Sequence, residues 1–223
     1  MPVNMHLSEV SLRERKKRQT RAAIRQAALK LFLEKGYDST TTNEIARAAD
    51  LSIATLFNYF PTKESLLGDD FEPVFIHYLR ARPASESLLT AFREAMRESM
   101  TKASDEIAFS LARGKLIRST PALQAAAGLE RERDTSRLAE LFAERCGSRF
   151  KEFELRVVSA ILVSAMHVAY EAWFAADGKT NIHKLVDRAL AVVQAGVNHP
   201  LNLGRSSSNP RRPQKSPVRR RGK

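Results

Sequence analysis

Hydrophobic positions recur at three- and four-residue spacing along most of the chain, and sustained strand-like alternation is absent, which predicts an all-helical protein. The first run carries Ile24, Ala27, Ala28, Leu31 and Phe32 and stops at Gly36, a residue suited to ending a helix. Thr41 and Glu44 stand at capping-box spacing, so a second helix is expected to begin near Thr42, with Ile45, Ala48 and Ala49 on its inner face. Asp50, Leu51 and Ser52 then make a tight turn: Asp50 tolerates a left-handed backbone, and Ser52 is a good cap for a third helix over residues 53–60. Pro61 ends that helix. Leu56 and Phe60 point inward, leaving Ile53, Ala54, Thr55, Asn58 and Tyr59 outside.

Beyond Pro61, Thr62 can cap a fourth helix whose apolar face is Leu66, Leu67, Phe71, Val74 and Phe75, with a kink expected at Pro73. This segment is the expected link between two domains and the expected carrier of a regulatory signal. Helical patterns follow over 85–102, 105–119, 123–146, 153–176 and 182–197, giving about nine helices in all. In 123–146 the inward residues are Leu129, Leu138, Leu141 and Phe142, and Pro121 suits the first turn. The last two segments are apolar over more than one stripe, too much for a single core contact.

Charge divides the chain differently from hydrophobicity. Residues 1–60 hold 10 Lys and Arg against 6 Asp and Glu, residues 61–200 hold 19 against 19, and residues 201–223 hold 8 against none. Basic ends suit a polyanion, and a neutral middle suits a ligand or protein partner. The run Arg13, Arg15, Lys16, Lys17, Arg18 and Arg21 forms a cationic entrance to the first helix. A single cysteine, Cys146, excludes an internal disulfide and a cysteine-based zinc site, in keeping with a cytoplasmic location. No signal peptide or membrane span is expected. The divisions that follow are a disordered stretch 1–12, a basic helical unit 13–67, a helical unit 68–198 and a disordered basic tail 199–223.

The outward face of the third helix offers methyl groups, a hydroxyl, an amide and a phenol, a set able to meet base edges and phosphates in a major groove. On spacing alone an ordinary helical hairpin fits equally. The wording from Gly36 to Leu67, however, closely resembles the DNA-binding domain of TetR-family transcriptional regulators: a glycine and an aromatic, the paired Thr41 and Thr42, Ile45-Ala46, a turn, Ser52-x-x-Thr55-Leu56-Phe57-x-Tyr59-Phe60, then Lys63-Glu64. Two positions depart from the pattern. Asp50 stands for the usual turn glycine, and Phe57 for a tyrosine whose hydroxyl often meets a phosphate, so that contact is expected to pass to Tyr59 or Asn58. The resemblance implies that Thr41 and Thr42 hold the second helix on the backbone while Ile53, Ala54, Thr55 and Asn58 enter the groove. Tyr59 and Lys63 would then pin phosphates, and Arg18, Arg21, Arg47 and Ser52 complete the expected DNA-binding set. A second likeness, from Leu111 through Pro121 and at Trp173, is to the C-terminal domain of actinobacterial regulators of the mycofactocin-system type.

In the resembling family the last two helices pair with their copies across a two-fold axis, which implies a dimer interface here through Val157, Ile161, Ala165, Leu185, Ala189 and Val193. Palindrome reading by a helix-turn-helix favours the same assembly on independent grounds. Phe75, Tyr78, Phe92, Met96, Phe109, Met166, His167, Tyr170 and Trp173 combine large apolar surface with a few polar handles, the mix expected of a small-molecule pocket, although core packing would use the same residues. Phosphate loops, nucleophile elbows and metal-ligand spacings are missing, and the His167/Glu171 pair suits packing better than chemistry, so no catalysis, metal or cofactor is expected. The function expected is a homodimeric repressor that binds a palindromic operator in double-stranded DNA and is released by a hydrophobic effector. The alternative is a helical interaction module or architectural protein that binds DNA without sequence preference.

Overall fold

The computed structural model describes residues 12–68, 71–102, 107–147 and 150–196; the expected disordered start and basic tail lie outside them. Within those residues the chain is helical throughout: α1 (Leu12–Lys35), α2 (Thr42–Ala48), α3 (Ile53–Tyr59), a 3-10 turn (Glu64–Leu67), α4 (Phe71–Ala81), α5 (Leu88–Lys102), α6 (Ile107–Ser119), α7 (Pro121–Cys146), α8 (Glu152–Ala175) and α9 (Ile182–Ala195).

Local chemistry sets the first three helices. Gly36, at φ +85°, takes the left-handed position that closes α1, and its amide donates to the Phe32 carbonyl at 3.0 Å. The basic run is no separate arm; α1 already begins at Leu12 and includes it. Asp50 adopts φ 55° in the turn between α2 and α3. The inner face of α2 is Ile45 and Ala46 with Ala49 half-buried, whereas Ala48, expected inside, is exposed. Successive helical residues lie about 100° apart, so a short helix crossing α1 can bury neighbours in sequence in place of an i, i+3 pair.

The expected kinked fourth helix is two pieces. The 3-10 turn ends at Gly68, and α4 starts afresh at Phe71, which places Pro73 in a first turn where its missing amide costs nothing. Leu66 and Leu67 belong to the N-terminal core with Ile24, Phe32, Ile45, Leu56 and Phe60, while Phe75 and Leu79 belong to the C-terminal core built from α4, α5, α7, α8 and α9.

This break is bypassed by α6. Its Phe109, Ala112, Leu116 and Ile117 lean on the N-terminal core, Leu123 at the start of α7 is buried there, and Arg113 Nη1 donates to the Leu67 carbonyl at 3.1 Å. On its other side α6 receives α8: a Cβ at Gly114 would lie 2.4 Å from the Phe174 ring, so only glycine permits this approach. Leu129, expected inside α7, is exposed. The 24-residue α8 is long and apolar enough to cross a membrane by length and composition, yet here it packs against α7 and α9 and buries Leu155, Leu162, Met166, Ala169 and Trp173 in the core.

Candidate nucleic-acid interface

Both helices of the turn motif are capped by their own side chains. Thr41 Oγ1 accepts from the Glu44 amide at 3.2 Å, and Glu44 Oε2 accepts from the Thr41 amide at 2.9 Å, closing the capping box. Lys35 at the end of α1 donates to Glu44 Oε1 at 2.7 Å. The lysine, followed by the Thr41 amide and hydroxyl, holds the Glu44 carboxyl down at about 2. Ser52 Oγ accepts from the Thr55 amide at 3.1 Å and lies 2.8 Å from Thr55 Oγ1. These bonds fix the start of each helix without drawing on the rest of α3.

The C-terminal end of α3 is held by α1. Arg21 Nη1 donates to the Tyr59 carbonyl at 2.8 Å, and its guanidinium lies 4.3 Å from the centre of the Phe60 ring. Lys63 is likewise engaged by the protein: Nζ donates to the Tyr37 carbonyl at 2.5 Å and sits 4.2 Å from that ring's centre. Burial, and then the bond its hydroxyl donates to Glu64 Oε1 at 2.7 Å, push the Tyr37 phenol up, and the same bond holds the Glu64 carboxyl down against the opposing effect of burial. Arg21 and Lys63, both expected at phosphates, are therefore tied to main-chain oxygens and aromatic faces.

What α3 leaves outside is a narrow stripe. Ala54, Phe57 and Asn58 are exposed at i, i+3 and i+4, flanked by half-buried Thr55. Ile53 and Tyr59, expected outside, pack in part against the N-terminal core. Phe57, left out of the expected contact set, is 43 % exposed. No residue of α3 is charged. Of the other expected contact residues, Thr41, Ser52, Arg18 and Arg47 are exposed and Thr42 is half-buried. The motif thus presents an exposed, uncharged stripe on α3, with exposed cations at Arg18 on α1 and Arg47 on α2.

In the C-terminal half, Phe75, Phe92, Met96 and Met166 are buried in one core cluster, with the Phe75 and Phe92 rings edge to face at 5.3 Å, while Trp173 is buried apart from it against Tyr170 and Phe174. Tyr78 and Tyr170 are half-buried, and Tyr170 meets the edge of Trp173 at 6.4 Å. His167 is exposed on the outer face of α8, and Phe109 lies in the N-terminal half, its ring centre 5.2 Å from the Arg25 guanidinium. Those two do not join the others. A groove of about 400 Å³ on α7 is open and lined by Glu130, Glu132, Arg133, Asp134, Arg137 and Glu140, a charged setting unlike an apolar seat. Among the described residues no cluster of metal ligands is present.

The expected pairing faces divide as well. Val157 and Ile161 are exposed on α8, together with Phe153 and Val168, at helical spacing. Ala165, Leu185, Ala189 and Val193 are half-buried against the chain's own core, and the outer face of α9 is instead Arg188, Ala191, Val192 and Ala195.

Comparison with known proteins agrees with this architecture. Residues 24–69 match the family model described as bacterial regulatory proteins, tetR family, and residues 86–198 match the model of the MftR C-terminal domain. The HTH-type transcriptional regulator TcmR of Streptomyces glaucescens is 31 % identical over 173 residues, which cover 73 % of this chain and 76 % of that protein. Among solved structures, Thermus thermophilus FadR, a TetR-family transcriptional repressor in complex with lauroyl-CoA, is 24 % identical; the match covers 85 % of this chain and 98 % of that one at a TM-score of 0.50. The fatty acid degradation regulator FadR of Bacillus halodurans is 20 % identical, with 81 % and 97 % covered at a TM-score of 0.53. Both share the fold.

Proposed function

Because the chain belongs to the TetR family of transcriptional regulators, a non-enzymatic DNA-binding family, we propose that it works as a homodimeric repressor whose two α3 helices read a palindromic operator and which a hydrophobic effector releases. The observation that carries this reading is the uncharged stripe of Ala54, Phe57 and Asn58 on a helix capped at one end by Ser52 and held at the other by Arg21. A stripe so held enters a groove without paying for ordering at the moment of binding. Thr55 and Asn58 supply hydrogen-bonding groups, Ala54 a methyl, and Arg18 and Arg47 reach phosphates on the flanks.

Dimerisation follows from the exposed apolar face of α8, since Phe153, Val157, Ile161 and Val168 form one stripe that a second copy would cover about a two-fold axis. The effector's seat is the C-terminal half, whose match to the MftR C-terminal domain and whose buried aromatic residues suit an apolar molecule. The Thermus thermophilus protein of the same fold was solved with lauroyl-CoA, in keeping with an acyl-type effector here. Such a molecule acts only by binding the released form more tightly than the DNA-bound one. From that half the signal reaches the reading head through α6, which touches Phe174 at Gly114 and Leu67 through Arg113.

Footprinting on a selected operator, with light scattering on the complex, tests this. Two protected half-sites about 34–36 Å apart, one protein copy on each, are expected; a single protected half-site bound by one 25.0 kDa chain contradicts it.

A further inference from the structure

A phenylalanine at the centre of a solvent-facing stripe is out of keeping with the rest of α3. Leu56 and Phe60 are buried in the N-terminal core, yet the Phe57 ring stands 43 % exposed and belongs to neither hydrophobic cluster. Its neighbours on the stripe are Ala54 and Asn58, and the helix has no lysine, arginine, aspartate or glutamate. The side chain has no hydroxyl with which to hold a phosphate, and among the described residues it joins neither hydrophobic cluster. In a major groove every base edge offers hydrogen-bond donors or acceptors, and the one apolar group on display is the 5-methyl of thymine. Closing a phenyl ring over guanine, adenine or cytosine edges strips water from polar groups and returns no hydrogen bond. Over a thymine methyl the same ring gains buried apolar surface.

We propose that Phe57 is a specificity-determining residue that reads a thymine in each operator half-site through its 5-methyl group. The assignment rests on the operator-binding role proposed above for α3. Asn58, one residue on, supplies hydrogen bonds to an adjacent base, so the stripe reads one apolar and one polar feature side by side. Phenylalanine, which has no hydroxyl, offers a base only apolar contact.

The test uses the full-length chain and a duplex it has selected from a random pool. Each thymine of one half-site is replaced in turn by deoxyuridine, which removes the methyl and nothing else. One position is expected to weaken binding about fourfold, the worth of one buried methyl group. Phe57→Ala should bind the thymine operator about sixteenfold less tightly, one such factor per half-site, and should lose all sensitivity to deoxyuridine at that position. The exposure of the side chain predicts an unchanged thermal melt for the variant. A flat deoxyuridine scan by a wild-type protein that still prefers its operator to scrambled DNA overturns the proposal and leaves the operator role standing. Sensitivity that persists in Phe57→Ala also overturns it, because another side chain then reads the methyl. A protein that selects no sequence at all contradicts the operator role itself.

Discussion

Arg21 and Tyr59, 38 residues apart, are joined by a hydrogen bond of 2.8 Å from the guanidinium to the main-chain oxygen at the last residue of α3. A helix ends in carbonyls without intrahelical partners, and a cation there satisfies one of them and complements the dipole. The bond makes α1 a brace for α3. Arg21→Gln should therefore lower the stability of the free protein by about 2 kcal/mol, measured by chemical denaturation. The slope of DNA affinity against salt should stay unchanged; a slope smaller by about one would mark Arg21 as a phosphate contact instead.

The capping box on α2 makes stability depend on acid. Bonds from Lys35 and Thr41 hold the Glu44 carboxyl at about 2 against its ordinary 4.5, so the folded state binds this proton less readily than the unfolded one. The stabilisation is complete above about 4.5 and drains away as pH falls toward about 2. Wild type and Glu44→Gln should differ in stability at pH 6 and converge near pH 2. A constant difference across that window would contradict the assignment. Thr41→Ala, which removes the cap itself, should cost about 1 kcal/mol.

These first helices were legible in the sequence because their boundaries are set by local chemistry: Gly36 at a positive φ, Thr41 with Glu44, Asp50 with Ser52. The rest depends on what lies opposite. Arg21 and Lys63 read as cations for phosphate, and nothing near them in sequence announces that the carbonyls of Tyr59 and Tyr37 come within reach. In α9, Val192 and Val193 are equally apolar and differ only in which side the core takes. Phe109 reads as a pocket residue alongside Phe75 and Phe92, yet α6 turns it to the N-terminal core.

The faces of α8 and α9 give separable outcomes. Val168→Asp, on the exposed stripe, should convert the proposed dimer to a 25.0 kDa monomer in light scattering. Val193→Ala, which packs inward, should instead lower thermal stability and leave the mass of the assembly unchanged. A reversal of the two results would place the partner on the other face.

Gly114→Ala inserts a methyl group 2.4 Å from the Phe174 ring, where α6 and α8 meet. Overpacking of this kind costs about 1–3 kcal/mol, and truncating the ring as Phe174→Leu in the same chain should recover part of it. Denaturation of the two single variants and the double variant closes the cycle. Strict additivity would deny the contact.

We propose above that α3 reads sequence. Its most direct measurement is the affinity of the full-length protein for a selected operator against scrambled DNA of equal length at one fixed salt concentration. Sequence reading by the exposed, uncharged stripe of α3 predicts a ratio of ~10³ or more. A ratio near one would make the protein a nonspecific DNA binder and contradict the account.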